Sequence, residues 1–388
     1  MHGERVHDVA DILIDYVAQG RTFTGRHAKT VPSASYTDAE QWVREMALIF
    51  RRVPLVLAAS AELPAPGTYK ATQVMDLPVL LTRDRSGTVR AFLNVCSHRG
   101  GPVVADGRGE GTRFACLYHG WTFAGDGWLL GVADPAKFGP IDKAARGLRE
   151  LPCVERAGLI LGVLTPGAAI DVDGFYAGAL DDYAAFGFKD WAYLGERVIT
   201  GANWKIAFDG YLEGYHFSQL HPETIHPRTP SNVTHYEAFG PHLRIGFPQT
   251  EIVKLRDVPR EHWRENQGFD FVRILFPNVS IFVAPEITQI AQLFPGPTVG
   301  ENRTVLTFLR REPPRDDADR AGLEGMMDWL RDVVDHEDYR MGATIQRGLL
   351  AGAHDSVVFG LNERGNQYFH EWVDWYLAED AAAARPVL

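Results

Sequence analysis

Apolar residues near the start of the chain recur at Val6, Val9, Leu13 and Val17, the spacing of one helix face, and predict a short amphipathic helix. Thr37-Asp38-Ala39-Glu40 reads as a capping box opening a second helix, with Trp42, Val43, Met46 and Phe50 inward. From about residue 54 the texture changes to short apolar runs broken by Gly, Pro and Asp. Segments 74–81, 89–95, 113–117 and 159–164 read as strands, an all-β module bounded at about 48 and 166. After a mixed linker, strands are expected at 243–247, 271–275, 280–283, 287–294 and 303–310. Pro295, Pro297, Pro313 and Pro314 set these off from a long helix near 318–350. Its apolar stripe runs through Leu323, Met326, Met327, Leu330, Val334, Met341, Ile345 and Leu349. The chain is therefore expected to be α+β, without internal repeats or low-complexity tracts.

Composition narrows the partners. A length of 388 residues suits one large or two medium domains, and a hydrophobic content of 45% suits a sizeable core. The net charge of −11, with no basic run, argues against nucleic acid or an anionic membrane surface. No apolar run reaches membrane-spanning length, and none follows Met1-His2-Gly3-Glu4-Arg5, so neither a span nor a secretory leader is expected. Three cysteines point to a reducing cytoplasm, with Cys153 a small buried residue. No GxGxxG fingerprint or P-loop is visible, so electrons for any redox chemistry must come from another protein.

The chemistry concentrates first in Cys96-Ser97-His98-Arg99-Gly100 and Cys116-Leu117-Tyr118-His119-Gly120-Trp121, a C-x-H cluster and a C-x-x-H cluster separated by 17 residues. Four N/S ligands would satisfy zinc, and Cys96 with Cys116 would satisfy a disulfide. One thiol and one imidazole from each of two loops also suits a [2Fe–2S] centre with two Cys on one iron and two His on the other. Such ligation sets a potential of roughly −150 to +300 mV. Glycines beside both clusters let backbone amides approach the sulfurs. With its Arg-Gly after His98 and Gly-Trp after His119, the segment resembles the Rieske motif of the aromatic-ring-hydroxylating, or Rieske non-haem iron, oxygenase α subunits.

A second constellation lies between Asn203 and Pro222. Asp209, Glu213 and His216 fall at i, i+4 and i+7, one face of an expected helix. His221 precedes Pro222, so the helix should end just before it and the chain turn back to aim His221 where His216 points. Two imidazoles and one carboxylate leave open positions on Fe(II). Downstream, the stripe's next inward places after Val334 hold Glu337 and Asp338, acids that are costly there unless paired or metal-bound. Asp335 lies off the stripe. The resemblance selects Asp338 as the carboxylate ligand and His221 over His226. It also implies that Glu213 bridges an iron-ligand His to a cluster His of another subunit. The family usually has Asp there, and Glu leans toward its carnitine- and betaine-type minority.

The resemblance covers almost the whole chain. It implies N-terminal helices over 1–47 packing on a catalytic domain, a Rieske [2Fe–2S] domain over 48–166 with ligands Cys96, His98, Cys116 and His119, and a catalytic domain over 167–388. The last would be a helix-grip (SRPBCC/Bet v1-like) fold, an antiparallel sheet with long helices, holding mononuclear Fe(II) at His216, His221 and Asp338, with Glu213 and Asp209 in catalytic roles. The implied protein is a homotrimeric terminal oxygenase fed from NAD(P)H by a separate reductase, with or without a ferredoxin. It would use O₂ to dihydroxylate or monohydroxylate an aromatic or other apolar substrate; the alternative is O- or N-demethylation, including of quaternary ammonium compounds. An electron carrier of the ferredoxin class would need only the first module, and a non-catalytic grip-fold binder could lose a ligand. Phe217, Phe294, Leu220 and Tyr211 are the aromatic and apolar candidates for a pocket wall.

Overall fold

Short, mostly buried apolar runs build three small antiparallel sheets from residues 50–175 and 183–191, one of two compact units in the computed structural model, which describes residues 2–380 and 382–388. A five-stranded sheet has the order Glu150–Leu151, Val89–Leu93, Leu77–Arg83, Thr68–Val74 and Gly107–Glu110. The others join Cys153–Arg156, Leu159–Gly162 and Leu55–Ala59, and Arg113–Ala115, Thr122–Ala124 and Leu129–Gly131. The strand expected over 74–81 is instead the end of one strand, a tight turn and the start of the next. Met75, with φ of 54°, makes that turn. Phe92, Val103, Phe114, Trp121 and Phe123 pack into a core that also contains Cys96 and Cys116.

The second unit comprises the residues before Phe50, residues 176–182 and those from Ala192 onward. Its frame is a seven-stranded antiparallel sheet ordered Ala192–Gly201, Asn302–Arg310, Thr288–Pro295, Val279–Val283, Phe269–Leu275, His242–Pro248 and His235–Phe239. The five expected strands are present. Ala192–Gly201 and His235–Phe239 carry too many half-exposed polar residues to show a clear apolar run. Helix His2–Gln19 covers part of the sheet, with Val6, Val9 and Leu13 packed among Trp263, Phe269 and Phe271.

Helix Ala39–Glu45 starts at Asp38, whose carboxylate accepts from the Glu40 amide at 2.8 Å. Of the expected inward face Phe50 is buried, but Val43 is not. Val43 is 57% exposed, and the fully buried residue is Glu45, which accepts from Trp204 Nε1 at 2.9 Å and from Lys205 Nζ. A buried charge pair replaces the expected apolar contact, and its partners lie too far apart in sequence to show in any local pattern.

The long helix near 318–350 is also modified. Asp317–Val333, capped by Asp316, packs Met327 near Gly195 and is tied by Asp328 and Glu324 to Arg197. A π-helical turn, Val334–Tyr339, follows, then Arg340–Leu350. The wider turn shifts the inward register by one residue. Tyr339, Gly342 and Gln346 are buried, while Met341 and Ile345, expected inside, are 45% and 44% exposed. Helix Arg364–Ala378 is almost wholly buried, yet faces inward with Asn366, Gln367 and His370 as well as aromatics, which hid it from apolar periodicity. Among the described residues no helix is long and apolar enough to cross a membrane.

Candidate metal centres and active-site pocket

In the first unit the two cysteine–histidine loops repeat one backbone design. The Gly100 amide donates to Cys96 O at 3.0 Å and the Gly120 amide to Cys116 O at 2.9 Å. Each turn needs the left-handed conformation, φ of 78° at Gly100 and 68° at Gly120, which glycine adopts without strain. Cys96 and Cys116 are buried and unpaired by disulfide, whereas His98 and His119 are half-exposed with ring centroids 4.8 Å apart. His98 stacks on Trp121 at 4.8 Å, which fixes its ring plane. Burial raises the Cys96 thiol pKa; the His98 and Arg99 amides donate to its sulfur and partly offset that, and the neighbouring Cys116 adds to the rise. Two inner thiols, one of them touched by amides, and two outer imidazoles fit an iron–sulfur cluster ligated by two Cys and two His.

In the second unit the residues from 203 to 221 do not form the single helix expected. Asn203 caps Trp204–Asp209 through the Lys205 amide at 2.8 Å, and the helix ends before Gly210. The Glu213 carboxylate then accepts the amides of Tyr215 and His216, ordering a non-helical bend. A short helix, Phe217–Leu220, starts after His216 and stops just before His221, as the following proline foretold. Asp209 is not beside His216. It accepts from Tyr36 Oη at 2.9 Å and lies 3.0 Å from His370 Nε2, and Asn366 donates to its backbone carbonyl. Asp209 therefore anchors the end of helix Trp204–Asp209 to helix Arg364–Ala378.

Three side chains converge. His221 Nε2 lies 3.1 Å and His216 Nε2 3.6 Å from Asp338 Oδ1, and the three ligand atoms are all within 4.8 Å of one another. The opposite nitrogen of each ring is held by a glutamate, Nδ1 of His216 by Glu213 and Nδ1 of His221 by Glu337. Thr224 Oγ1 donates to the same Glu337 oxygen at 2.8 Å. Sequence reasoning left Glu337 as a rival ligand, because its hydrogen bond to His221 depends on the π turn that presents adjacent acids to one imidazole. His221 is only 1% exposed. Burial alone would lower its pKa, but Asp338 and Glu337 outweigh that and raise it, so the point of convergence favours positive charge. Two imidazoles fixed through Nδ1 and one carboxylate are a donor set that fits a divalent transition metal with open positions. His226 and Asp335 are not in the converging group.

The three side chains open on a cavity of about 310 Å³, at the small end of the range for organic ligands. One wall is the sheet face carrying Phe247, Asp270, Val272 and Phe282; the other includes Trp329 and Val333. Tyr211 and Phe217 line the cavity as expected, whereas Phe294 and Leu220 are not part of the lining. Asp270 and Arg228, which do line it, carry no local sequence signal.

Residues 53–149 match the model of the Rieske [2Fe–2S] domain, and residues 188–379 that of the ring hydroxylating alpha subunit (catalytic domain). The chain belongs to the Rieske oxygenase α subunits. The carnitine monooxygenase oxygenase subunit of Acinetobacter baumannii is 26% identical over 362 residues, 90% of this chain and 95% of the relative. The glycine betaine monooxygenase oxygenase subunit of Chromohalobacter salexigens is 33% identical over 198 residues, 50% of this chain but only 44% of the relative's length. Among solved structures, a quaternary ammonium Rieske monooxygenase in complex with L-carnitine superimposes with a TM-score of 0.75 at 22% identity, over 89% of this chain and 95% of the other. Naphthalene 1,2-dioxygenase from Rhodococcus sp. bound to indole gives 0.74 at 21%, over 97% and 99%. At these identities the structural likeness speaks for the fold. The oxygenase is an oxidoreductase of the Rieske type, and its family's cofactors are a Rieske [2Fe–2S] cluster and non-haem iron.

Proposed function

We propose that Cys96, His98, Cys116 and His119 hold the cluster, that His216, His221 and Asp338 hold mononuclear Fe(II), and that the chain is the terminal oxygenase acting on a small organic substrate in the adjoining cavity. The observation that carries this is the convergence of both Nε2 atoms and Asp338 Oδ1 on the cavity wall, with each Nδ1 secured by a glutamate. When bound, iron with open positions supplies O₂ reduction and oxygen insertion. The protein's own part is to fix the imidazoles, keep His221 away from water and shape a largely apolar chamber around the substrate. Asp209 acts at one remove, by anchoring the helix that leads to Glu213.

Electrons would come from NAD(P)H through a separate reductase, with or without a ferredoxin. In the homotrimer that the family resemblance supports, Glu213 would connect His216 to the partner subunit's His119. The functional division would be 48–166 for electron entry and 167–388 for catalysis, with 1–47 packed on the latter, in a cytoplasmic protein suited to its three unpaired cysteines. Hydroxylation of an apolar or aromatic substrate is one outcome at such a site. Demethylation of a quaternary ammonium compound is the second reading, supported by the carnitine- and betaine-oxidising relatives and by Glu213. The test is oxygen transfer. With a reductase, NADH and ¹⁸O₂, a substrate panel should yield either a hydroxylated compound carrying ¹⁸O or, where an aldehyde whose oxygen exchanges with water is released, amine or alcohol and aldehyde in step with the O₂ consumed. Oxygen consumption with neither a labelled hydroxylated product nor a dealkylated product across the panel would overturn the reading.

A further inference from the structure

One acid in the cavity has no part in the metal arrangement. Asp270 sits in the apolar strand Phe269–Leu275, opposite Phe247 on the neighbouring strand, and both line the cavity. Its side chain is 8% exposed. The Gln249 amide donates to its two oxygens at 3.1 and 3.0 Å, while the Gln249 carbonyl accepts from the Gly268 amide at 3.1 Å. Among the described residues the cation paired with it is Arg228, with Nη2 3.7 Å from Asp270 Oδ1 and a side chain 61% exposed, a loose and solvent-screened pairing. Glu265 adds like charge nearby. An ionised carboxylate offers about four acceptor positions, and one amide uses only part of them. The other acids lining the cavity are engaged, Glu213 by His216 and Asp338 by both histidines. Besides Phe247 opposite Asp270, the same cavity is lined by the aromatic side chains of Phe217, Phe282 and Trp329.

A buried, under-paired carboxylate in an apolar chamber is costly unless something compensates it. Aromatic faces beside a carboxylate form an environment that attracts organic cations. Resting on the oxygenase reading above, we propose that Asp270 is a specificity-determining residue, receiving a positively charged nitrogen of the substrate inside the aromatic-walled cavity. Asp270 would orient the cationic end and leave the remainder of the molecule to face His216, His221 and Asp338. Gln249 is then a positioning residue that holds the carboxylate toward the cavity.

Binding separates this from the chemistry. Choline and its neutral carbon isostere 3,3-dimethylbutan-1-ol share shape and hydroxyl and differ in charge. Calorimetric titration of the metal-loaded, oxidised protein under argon should show wild type preferring choline by on the order of tenfold to a hundredfold. Asp270→Asn, which still accepts from Gln249, should lose that preference while binding the neutral isostere and iron as wild type does. Asp270→Glu should restore most of it. Arg228→Leu, an exposed change that removes the competing cation, should strengthen choline binding severalfold and serves as a second reading if Asp270→Asn folds poorly. Equal binding of the two probes by wild type, no choline binding, or an undiminished preference in folded Asp270→Asn would overturn the proposal. Because no turnover is needed, these outcomes are distinguishable from failure of the oxygenase assignment, which rests on ¹⁸O transfer.

Discussion

Glu337 and Asp338 are adjacent acids that meet the same imidazole from opposite sides, and separating their roles tests the reading of the site. Glu337 accepts from His221 Nδ1 and Thr224 Oγ1, whereas Asp338 faces Nε2 of both histidines. If Glu337 orients the ligand, its loss should weaken metal binding without abolishing it, since outer partners of metal-bound histidines typically contribute about 10- to 100-fold in affinity. Glu337→Gln retains a neutral acceptor for the Nδ1 proton and should fall near the tenfold end. Glu337→Ala removes both acceptor and charge beside a ring that is 1% exposed and should approach a hundredfold, roughly 3 kcal/mol at 1.4 kcal/mol per tenfold. Asp338→Ala removes a ligand and should lose stoichiometric binding. The assay is anaerobic Co(II) titration of protein stripped of its mononuclear metal, followed by the visible ligand-field bands, with the cluster absorbance as an internal check. Weak binding in Glu337→Ala alongside unchanged affinity in Asp338→Ala would exchange the two roles and refute the assignment.

Glu45→Ala should destabilise the protein by about 3–5 kcal/mol, because Lys205 and Trp204 Nε1 would lose their acceptor in a fully buried site, and Glu45→Ala with Lys205→Met should recover much of that in denaturant titrations. A double variant as unstable as Glu45→Ala would show that packing, not the orphaned charge, sets the cost. Burial, with Arg244 adding to it, lowers the pKa of His235 to about 4, against about 6.5 for an ordinary histidine. The unfolded chain therefore takes up this proton first on acidification. Its contribution is present above pH 6.5 and lost as pH falls toward 4, a gap of about 2.5 pH units or at most roughly 3 kcal/mol. His235→Phe should flatten that part of the stability profile, and an unchanged slope would show that other groups control it. Glu213→Gln should retain cluster and iron yet slow reoxidation of a pre-reduced cluster by orders of magnitude in a single turnover with O₂ and substrate; a wild-type rate would remove Glu213 from the electron route.

The two cysteine–histidine loops were legible because all four candidate residues sit in two short segments whose spacing is itself the signal. His221 was readable from Pro222, and the frame of the catalytic sheet from its apolar runs. The register beyond Val334 was not, because a π turn leaves no mark in apolar periodicity, and Asp338 was reached from a stripe that the turn then displaces. The helix drawn through Asp209, Glu213 and His216 failed because Gly210 and the Glu213 carboxylate favour a bend whose geometry depends on backbone hydrogen bonds. Glu45 and Asp270 escaped detection for a common reason. A buried acid is intelligible only with its partner or its cavity, and those are assembled by sheet register and distant contacts.

In the proposed oxygenase one chain carries two distinct iron sites held by two separate residue sets. The most direct test is iron and acid-labile sulfide analysis with Mössbauer spectroscopy on anaerobically prepared wild type, Cys116→Ser and His216→Ala. Wild type should contain three irons, two as a [2Fe–2S] pair and one high-spin ferrous. His216→Ala should lose only the ferrous component, and Cys116→Ser only the pair. Stoichiometric zinc with no sulfide in wild type, or loss of both components together in either folded variant, would contradict it.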